Sequence, residues 1–283
     1  MSDSRQAWLR ADLAQAWGET NPFAAAQAQQ GTVYREKEGR RTLSFNAGEK
    51  SYFLKLHQGV GWKEIIKNLL QGRLPILGAS NEYNAIRALE KIDIDTLTIA
   101  GYGKRGLNPA QQLSFLVTDE LKEIESLEDF CKSWPQHPPS FSMKQQLIER
   151  LADISRKMHV AGINHRDYYL CHFLLDMSAA VSEQNIASKK LSLMDLHRAQ
   201  IRARVPQRWV IKDLGGLYFS ALDIGLTKRD IFRFMRYYRQ KKLREILRSE
   251  ARFWRKVAQR AGQIYTRDNS RQPSSAAWID PAR

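Results

Sequence analysis

Cysteine is scarce in this chain: Cys131 and Cys171 are the only two in 283 residues. They are too few and too far apart for a disulfide framework, so a reducing compartment is the simpler reading. No run approaches the roughly 18 consecutive apolar residues of a membrane span. The stretch Met1 to Thr20 is polar and lacks the apolar centre of a secretion signal, which makes a cytoplasmic protein the expectation. Zinc-finger spacing, an aromatic RNA-reading signature and a basic region joined to heptads are all missing, which sets nucleic acid aside as a partner. Acid is the minority charge, with 30 Asp and Glu against 45 Lys and Arg and a net charge of +15 at pH 7. A field of that size draws in phosphates, acidic proteins or anionic membrane surfaces. Between Thr227 and Arg260, 13 lysines and arginines stand against three acids; such a run is ordinarily a solvated helical face, and a docking surface is the sharper alternative.

What is present suits one bilobal domain or two modest ones, since 43% hydrophobic residues can bury a core in a chain of this length. Trp8, Leu9, Leu13 and Trp17 have helical spacing and predict a first amphipathic helix, packed on the body or lying on a membrane. Thr32–Lys37, Arg41–Asn46 and Lys50–Leu56 read as three strands of a meander, separated by Glu38-Gly39 and Ala47-Gly48. Trp62, Ile65, Ile66, Leu69 and Leu70, with Lys63, Lys67 and Arg73, make a basic amphipathic helix. Glu82, Ile86 and Leu89 share one helix face, which turns a carboxylate toward the core. Leu97–Tyr102 and Leu113–Thr118 are strand-like, and Ser126-Leu127-Glu128-Asp129 is a capping box. Met143, Leu147, Leu151, Ile154 and Met158 stripe a long helix that stops at Gly162. Helices continue to about Tyr265, with a capping box at Thr227 to Asp230. The residues from Thr266 onward are polar, and fraying is expected of them.

The chemistry gathers in the loop after that long helix, at His165-Arg166-Asp167, followed five residues later by His172 and then by Asp195 after the apolar run Leu191-Ser192-Leu193-Met194. Phosphoryl transfer asks little covalent chemistry of a protein; it needs an aligned hydroxyl, clamped phosphates and a metal where charge develops. Lys55 ends an early strand, Glu82 is a helical carboxylate able to pair with it, Asp167 can orient a hydroxyl, and Asp195 can bind metal. The order Lys, Glu, Asp, Asp matches the kinase signature set. Each residue alone has an ordinary explanation: a solvent-facing lysine, an exposed helix carboxylate, a chance tripeptide, a strand-end cap. Their joint placement in a β-rich segment, a helix and a long helix leading into the loop points to a kinase-type fold.

Three departures accompany that pattern. No Gly-x-Gly-x-x-Gly loop covers the phosphates; the hairpin offers Glu38-Gly39-Arg40-Arg41, so Arg40 and Arg41 are expected to replace part of the backbone cradle. The position five after Asp167, commonly asparagine, is His172, which can still coordinate through a ring nitrogen. The stretch from Asp195 to Asp213 leaves no room for a long activation loop, which argues against a regulated protein kinase and for a kinase of small molecules or glycolipids. His159, His165, Cys171 and His172 also raise a zinc site, but their spacing fits no compact four-ligand pattern.

The string from Gly162 to Leu175, Gly-Ile-Asn-His-Arg-Asp-Tyr-Tyr-Leu-Cys-His-Phe-Leu-Leu, together with Asp195-Leu196-His197-Arg198-Ala199-Gln200, resembles the lipopolysaccharide core heptose(I) kinase family. Val33-Tyr34-Arg35-Glu36, Arg40-Arg41-Thr42-Leu43, Glu64 to Leu70, Pro75 to Ala79 and Lys212-Asp213-Leu214 extend the likeness over about residues 8 to 260. The resemblance implies transfer of phosphate from ATP, with Mg2+, to the 4-hydroxyl of the first heptose of the lipopolysaccharide inner core. It also implies a place on the cytoplasmic face of the inner membrane, and association with acyl carrier protein, an acidic partner suited to a basic surface. Tyr168 stands where the family often has cysteine; it neighbours Asp167 and no chemistry is expected of it.

The expectation is therefore an α+β, bilobal protein-kinase-like fold. Residues 1–120 form a nucleotide-binding β-rich lobe, 121–265 a helical lobe with the catalytic loop, and 266–283 a polar tail, with the connection between lobes near Thr118 to Leu121. Lys55 should contact the nucleotide phosphates and Glu82 should position it. Asp167 should act on the acceptor hydroxyl, His172 with Asp195 should hold magnesium, and Asp213 should tie down the catalytic loop. A glycolipid acceptor at a membrane suits the basic helix Trp62 to Leu70 and the arginine-rich C-terminal region. Two rivals remain open: a phosphotransferase for another core sugar or a small molecule, and a basic adaptor that keeps the kinase shape without its chemistry. Three costly charges, Lys55, Asp167 and Asp195, speak against the adaptor.

Overall fold

The structure, a computed structural model, describes residues 5–37, 39–59, 61, 62, 66, 78–108 and 110–279. The amphipathic helix expected over Trp62 to Leu70 falls mostly outside these described residues, as do Lys63 and Lys67. The chain divides into two compact units. The first comprises Met1–Arg87, Leu97–Lys122 and Leu196–Arg198; the second comprises Ala88–Thr96, Glu123–Asp195 and Ala199–Arg283.

The first unit is built on six antiparallel strands. They are β1 (Arg5–Leu9), β2 (Thr32–Lys37), β3 (Arg40–Ala47), β4 (Lys50–His57), β5 (Ile99–Arg105) and β6 (Leu113–Asp119), in the spatial order β1-β5-β6-β4-β3-β2. Period-2 alternation buries Leu43 and Phe45 of β3 and Tyr52, Leu54 and Leu56 of β4 on one face. Two short helices, α1 (Ala11–Trp17) and α2 (Pro22–Ala28), close that face with Leu13, Trp17, Phe23 and Ala26. Trp17 and Phe23 each meet Phe115 edge to face.

The N-terminus corrects the expected helix. Trp8 and Leu9 are strand residues, pairing with Tyr102 and Gly101, and the helix begins only at Ala11. The edge of β5 offers unpaired backbone groups, and taking them up outweighs the weak preference of a short apolar stripe for helix. Arg10 fixes the corner: its N–H donates to the carbonyl of Ala100, and its guanidinium bridges Asp12 at 2.8 Å and Asp119 at 2.6 Å.

Helix α3 (Ser80–Glu90) carries Glu82. Its start is anchored in the first unit: the N–H of Ala79 donates to Ser114 Oγ, Ser80 Oγ meets the hydroxyl of Tyr102 at 2.8 Å, and Tyr83 stacks on Tyr102. The last turn of α3 and the following residues belong to the second unit. There Thr96 Oγ1 donates to the carbonyl of Leu193, and Leu193 N–H to the carbonyl of Asp95.

The second unit is mainly helical. It contains β7 (Ile124–Ser126), α4 (Leu127–Phe130), α5 (Phe141–Val160), β8 (Ile163–Asn164), β9 (Phe173–Asp176), β10 (Leu191–Leu193), β11 (Gln200–Ile201), α6 (Gln207–Ser220), α7 (Lys228–Arg239), α8 (Leu243–Ser249) and α9 (Ala251–Asn269). The strands form a three-stranded sheet, β10-β9-β7, and the pair β11-β8. Gly162 ends α5 at φ +80°, and a Cβ there would collide with the carbonyl of Arg202, so the turn into β8 admits glycine alone. Among the described residues no helix is long and apolar enough to cross a membrane.

The C-terminal residues are not frayed where they are described. Helix α9 runs to Asn269, Ala277 is fully buried, and Trp278 stacks on Tyr218. The Tyr218 hydroxyl donates to the carbonyl of Ala277 and accepts the N–H of Ile279, each at 2.8 Å. Polar composition suggested fraying because most of the segment is hydrophilic; a single aromatic side chain packed in the unit is enough to order it.

Candidate active site

In the first unit, β4 presents Lys55 on the face opposite the aromatic core. Register places Thr42 beside Lys55 and Arg40 beside His57, so Arg40, Lys55 and His57 share one face of the sheet. Lys55 Nζ donates to Glu82 Oε1 at 2.6 Å, and Glu82 is 3% exposed. A carboxylate so buried is tolerated because it is paired, and the pair sets the direction of the lysine. Burial, with the positive charges of Arg40 and Lys55 nearby, pushes His57 down to a pKa of about 4, so this ring is neutral at physiological pH.

Arg41 is not part of that face, which corrects its expected role beside Arg40. It pairs with Leu56 on the core side, two residues before buried Leu43, and its Nη1 donates to the carbonyl of Gln29. Alternation along a strand puts adjacent arginines on opposite faces. The spacing Arg41-Leu43-Phe45 shows that the two arginines must part, and the layer packed on the sheet decides which of them is on the core side.

In the second unit, the loop between β8 and β9 holds His165, Arg166, Asp167 and His172. Asp213, on α6 and fully buried, accepts the backbone N–H of His165 at 2.7 Å and of Arg166 at 2.8 Å. His159 Nε2 approaches the same carboxylate at 3.4 Å while its Nδ1 meets the hydroxyl of Tyr238. The loop is thus tied to two helices, and Asp213 has the tethering place that its position in the sequence suggests. Tyr168 is 1% exposed, with its hydroxyl on Ser155 at 2.9 Å; it fills space between loop and α5 and has no access to chemistry.

Each of the two histidines donates one ring N–H to a backbone carbonyl, which only accepts. His165 Nε2 donates to the carbonyl of Met194 at 2.9 Å, leaving Nδ1 to accept the N–H of Asp167 at 3.3 Å. Burial lowers its pKa in keeping with a neutral ring. His172 Nδ1 donates to the carbonyl of Asp167 at 2.7 Å, and its Nε2 faces Asp195 Oδ2 at 3.5 Å. A ring nitrogen and a carboxylate are groups that could share a metal ion. Among the described residues no third His, Cys, Asp or Glu joins them. Two protein ligands suit magnesium, which keeps waters and takes substrate phosphates for the rest of its shell. Arg166 and Asp195 both hold left-handed backbone, φ +79° and +62°. Non-glycine residues retain such strain chiefly where function over-determines it.

One cluster was not apparent from the sequence. Arg166, Arg208 and Lys212 all direct their cationic ends at the ring of Trp209, at 5.1, 5.5 and 5.3 Å from its centre. The local part was visible, since Arg208 and Lys212 flank Trp209 at helical spacing; the approach of Arg166 needed the fold.

A lysine–glutamate pair on a β-rich unit and, on a helical unit, a loop tethered by Asp213 that carries Asp167, with His172 facing Asp195, have the residue order of a protein-kinase-like phosphotransferase. The chain belongs to the lipopolysaccharide kinase (Kdo/WaaP) family, whose model matches residues 24–238. It is 49% identical over 251 residues to the lipopolysaccharide core heptose(I) kinase WaaP of Pseudomonas aeruginosa, covering 89% of this chain and 92% of that one. It is also 49% identical over 259 residues to the protein of that name from Escherichia coli K12, covering 92% and 97%. A solved structure of WaaP in complex with acyl carrier protein is similar at TM-score 0.80 and 43% identity, over 92% of this chain and 99% of that one.

Proposed function

We propose that this protein transfers the terminal phosphoryl group of ATP to the 4-hydroxyl of the first heptose of the lipopolysaccharide inner core. The observation that carries the reading is the catalytic loop held by Asp213, with Asp167 and the facing pair His172 and Asp195 in one unit of a chain so close to named heptose(I) kinases. Lys55, directed by Glu82, binds nucleotide phosphates; Arg40, on the same face, adds charge in place of a glycine loop. Asp167 orients the acceptor hydroxyl and takes its proton as the oxygen attacks. His172 and Asp195 would hold Mg2+, which when bound neutralises phosphate charge. Neutral His165 steadies the backbone of Asp167 without adding a competing cation.

The test is transfer of label from γ-labelled ATP, with magnesium, to a core lipopolysaccharide lacking its heptose phosphate. Label should appear in the glycolipid with the native protein and vanish with Asp167→Asn. Nucleotide binding without transfer would point to another acceptor, and absence of both would sink the kinase reading.

With such an acceptor the protein works at the cytoplasmic face of the inner membrane as a peripheral protein, in keeping with its net charge of +15. A second reading concerns a partner, acyl carrier protein. It is supported by the similarity to WaaP in complex with acyl carrier protein and by an apolar cavity of about 280 Å3. Leu147, Leu217, Met235, Trp254 and Val257 are among its lining residues. An acyl chain is the kind of group such a cavity accepts. Native mass spectrometry of the purified protein tests this; acyl carrier protein at stoichiometric mass supports it.

A further inference from the structure

Three helices of the second unit wall the apolar cavity: α5 supplies Leu147 and Leu151, α6 Leu214 and Leu217, and α7 Met235. Each of the same helices also sends one polar side chain into a single buried cluster. His159 of α5 stands in the middle, its Nδ1 2.9 Å from the hydroxyl of Tyr238 of α7 and its Nε2 3.4 Å from Oδ2 of Asp213 of α6. Helical spacing brings wall and cluster together: His159 follows Leu151 by two turns, Leu217 follows Asp213 by one, and Tyr238 follows Met235 by three residues. The ring of Tyr238 also meets Trp254, a further wall residue, edge to face. Asp213 ends the series at the backbone N–H groups of His165 and Arg166, next to Asp167. The loop reaches the cavity directly as well, because buried Leu170 is part of the wall and its N–H donates to Ser220 Oγ of α6.

Side chains around an apolar cavity of about 280 Å3 lack packing partners on one side. Filling the cavity restores those contacts and stiffens α5, α6 and α7 against one another; around an empty cavity the same helices have room to shift, and packed helices shift as units. Any such shift changes the distances from Tyr238 to His159 and from His159 to Asp213, and with them the seat of the loop. We propose that Tyr238 is a positioning residue through which the contents of the cavity set the catalytic loop. An acyl chain in the cavity holds Tyr238, His159 and Asp213 in line, and phosphoryl transfer is faster when the chain is present. The inference rests on the kinase reading and on an acyl chain as the occupant, and adds to them that the occupant regulates turnover.

The experiment measures kcat and both KM values with γ-labelled ATP and the core glycolipid, with the cavity filled and unfilled. Two fillers are used: acyl carrier protein bearing a dodecanoyl chain, set against its unacylated form, and decanol alone. Three proteins are assayed: the native chain, Tyr238→Phe, which keeps the ring and removes the hydroxyl, and Tyr237→Phe as control. The Tyr237 hydroxyl accepts from Gln145 Nε2 of α5 at 3.0 Å, so the control removes a like bond between the same two helices, one that does not lead to Asp213. Native kcat should rise about 5- to 30-fold on filling. Filled Tyr238→Phe should have kcat about 3- to 10-fold below filled native protein, the size of one hydrogen bond, and its response to filling should shrink to about twofold. Both KM values should stay within about twofold of native. Tyr237→Phe should respond as the native chain. Hydrogen exchange at the amides of His165 and Arg166 is read in parallel: filling should slow it at least about fivefold in the native chain and less than about twofold in Tyr238→Phe. A native kcat indifferent to both fillers, a Tyr238→Phe response equal to the native one, or a control that loses as much overturns the proposal. A response to decanol without any complex with acylated carrier protein overturns the acyl-carrier reading and leaves the coupling standing. If the native protein phosphorylates no acceptor, the heptose reading fails, and exchange at those two amides decides the coupling by the same criteria.

Discussion

Asp213 holds Arg166 across 47 positions of sequence, its Oδ1 accepting the backbone N–H of Arg166 at 2.8 Å while its Oδ2 takes that of His165 at 2.7 Å. The loop therefore depends on a fully buried carboxylate on another element. Asp213→Ala would leave two buried donors without acceptors, at about 1–3 kcal/mol each. Unfolding free energy in urea should fall by about 2–6 kcal/mol, with turnover reduced in the folded fraction. Asp213→Asn keeps one acceptor and should lose less on both counts; equal stability of Asp213→Ala and the native chain would refute the role.

Lys55 and Glu82 predict an asymmetric double-mutant cycle. Lys55→Met strands a buried carboxylate, whereas Glu82→Gln leaves a lysine that is 27% exposed and can reach water. Breaking a fully buried pair costs about 3–5 kcal/mol; with one partner solvated, about 2–3 kcal/mol is expected for Lys55→Met and about 1 kcal/mol for Glu82→Gln. Both should weaken nucleotide binding, measured by calorimetry with ATP and magnesium.

Asp167→Asn keeps the size of the side chain and removes the carboxylate proposed to take the acceptor proton. Turnover should drop by about 10²–10⁴-fold, the range of a general base, with little change in nucleotide Kd. An Asn variant that kept more than a tenth of native turnover would reassign the residue.

His57 makes stability depend on pH. Its folded pKa is near 4 against the usual 6.5, so the unfolded chain takes up the proton first as pH falls. The stabilisation is complete above about pH 6.5 and is lost progressively between there and about pH 4. At 1.36 kcal/mol per pKa unit the loss reaches at most about 3 kcal/mol. Urea denaturation of the native chain and of His57→Gln across that window should diverge in slope, the variant being flatter. His165, also lowered by burial, acts in the same direction and remains in both proteins.

Much of the architecture was legible. The three strands of the meander end within one residue of the expected bounds at Thr32–Lys37, Arg40–Ala47 and Lys50–His57, because alternation and turn glycines mark them directly. Helix α5 stops at Gly162 for the reason its sequence suggests. Other features were hidden by distance. Nothing near Trp8 says that Tyr102 will pair with it, and nothing near Trp278 says that Tyr218 will stack on it.

The order of lysine, glutamate and two aspartates and the family strings, Lys212-Asp213-Leu214 among them, are properties of the chain, since each is a residue type at a spacing. Tertiary structure alone decided which arginine of the hairpin shares a face with Lys55, because a strand has two faces and only the layer packed against it, here α1 and α2, says which is buried. It also decided that His172 turns Nε2 toward Asp195 and that Arg166 joins Arg208 and Lys212 at Trp209. Hydrogen-bond direction and charge convergence depend on groups far apart in sequence, and only folding sets the distances on which both depend.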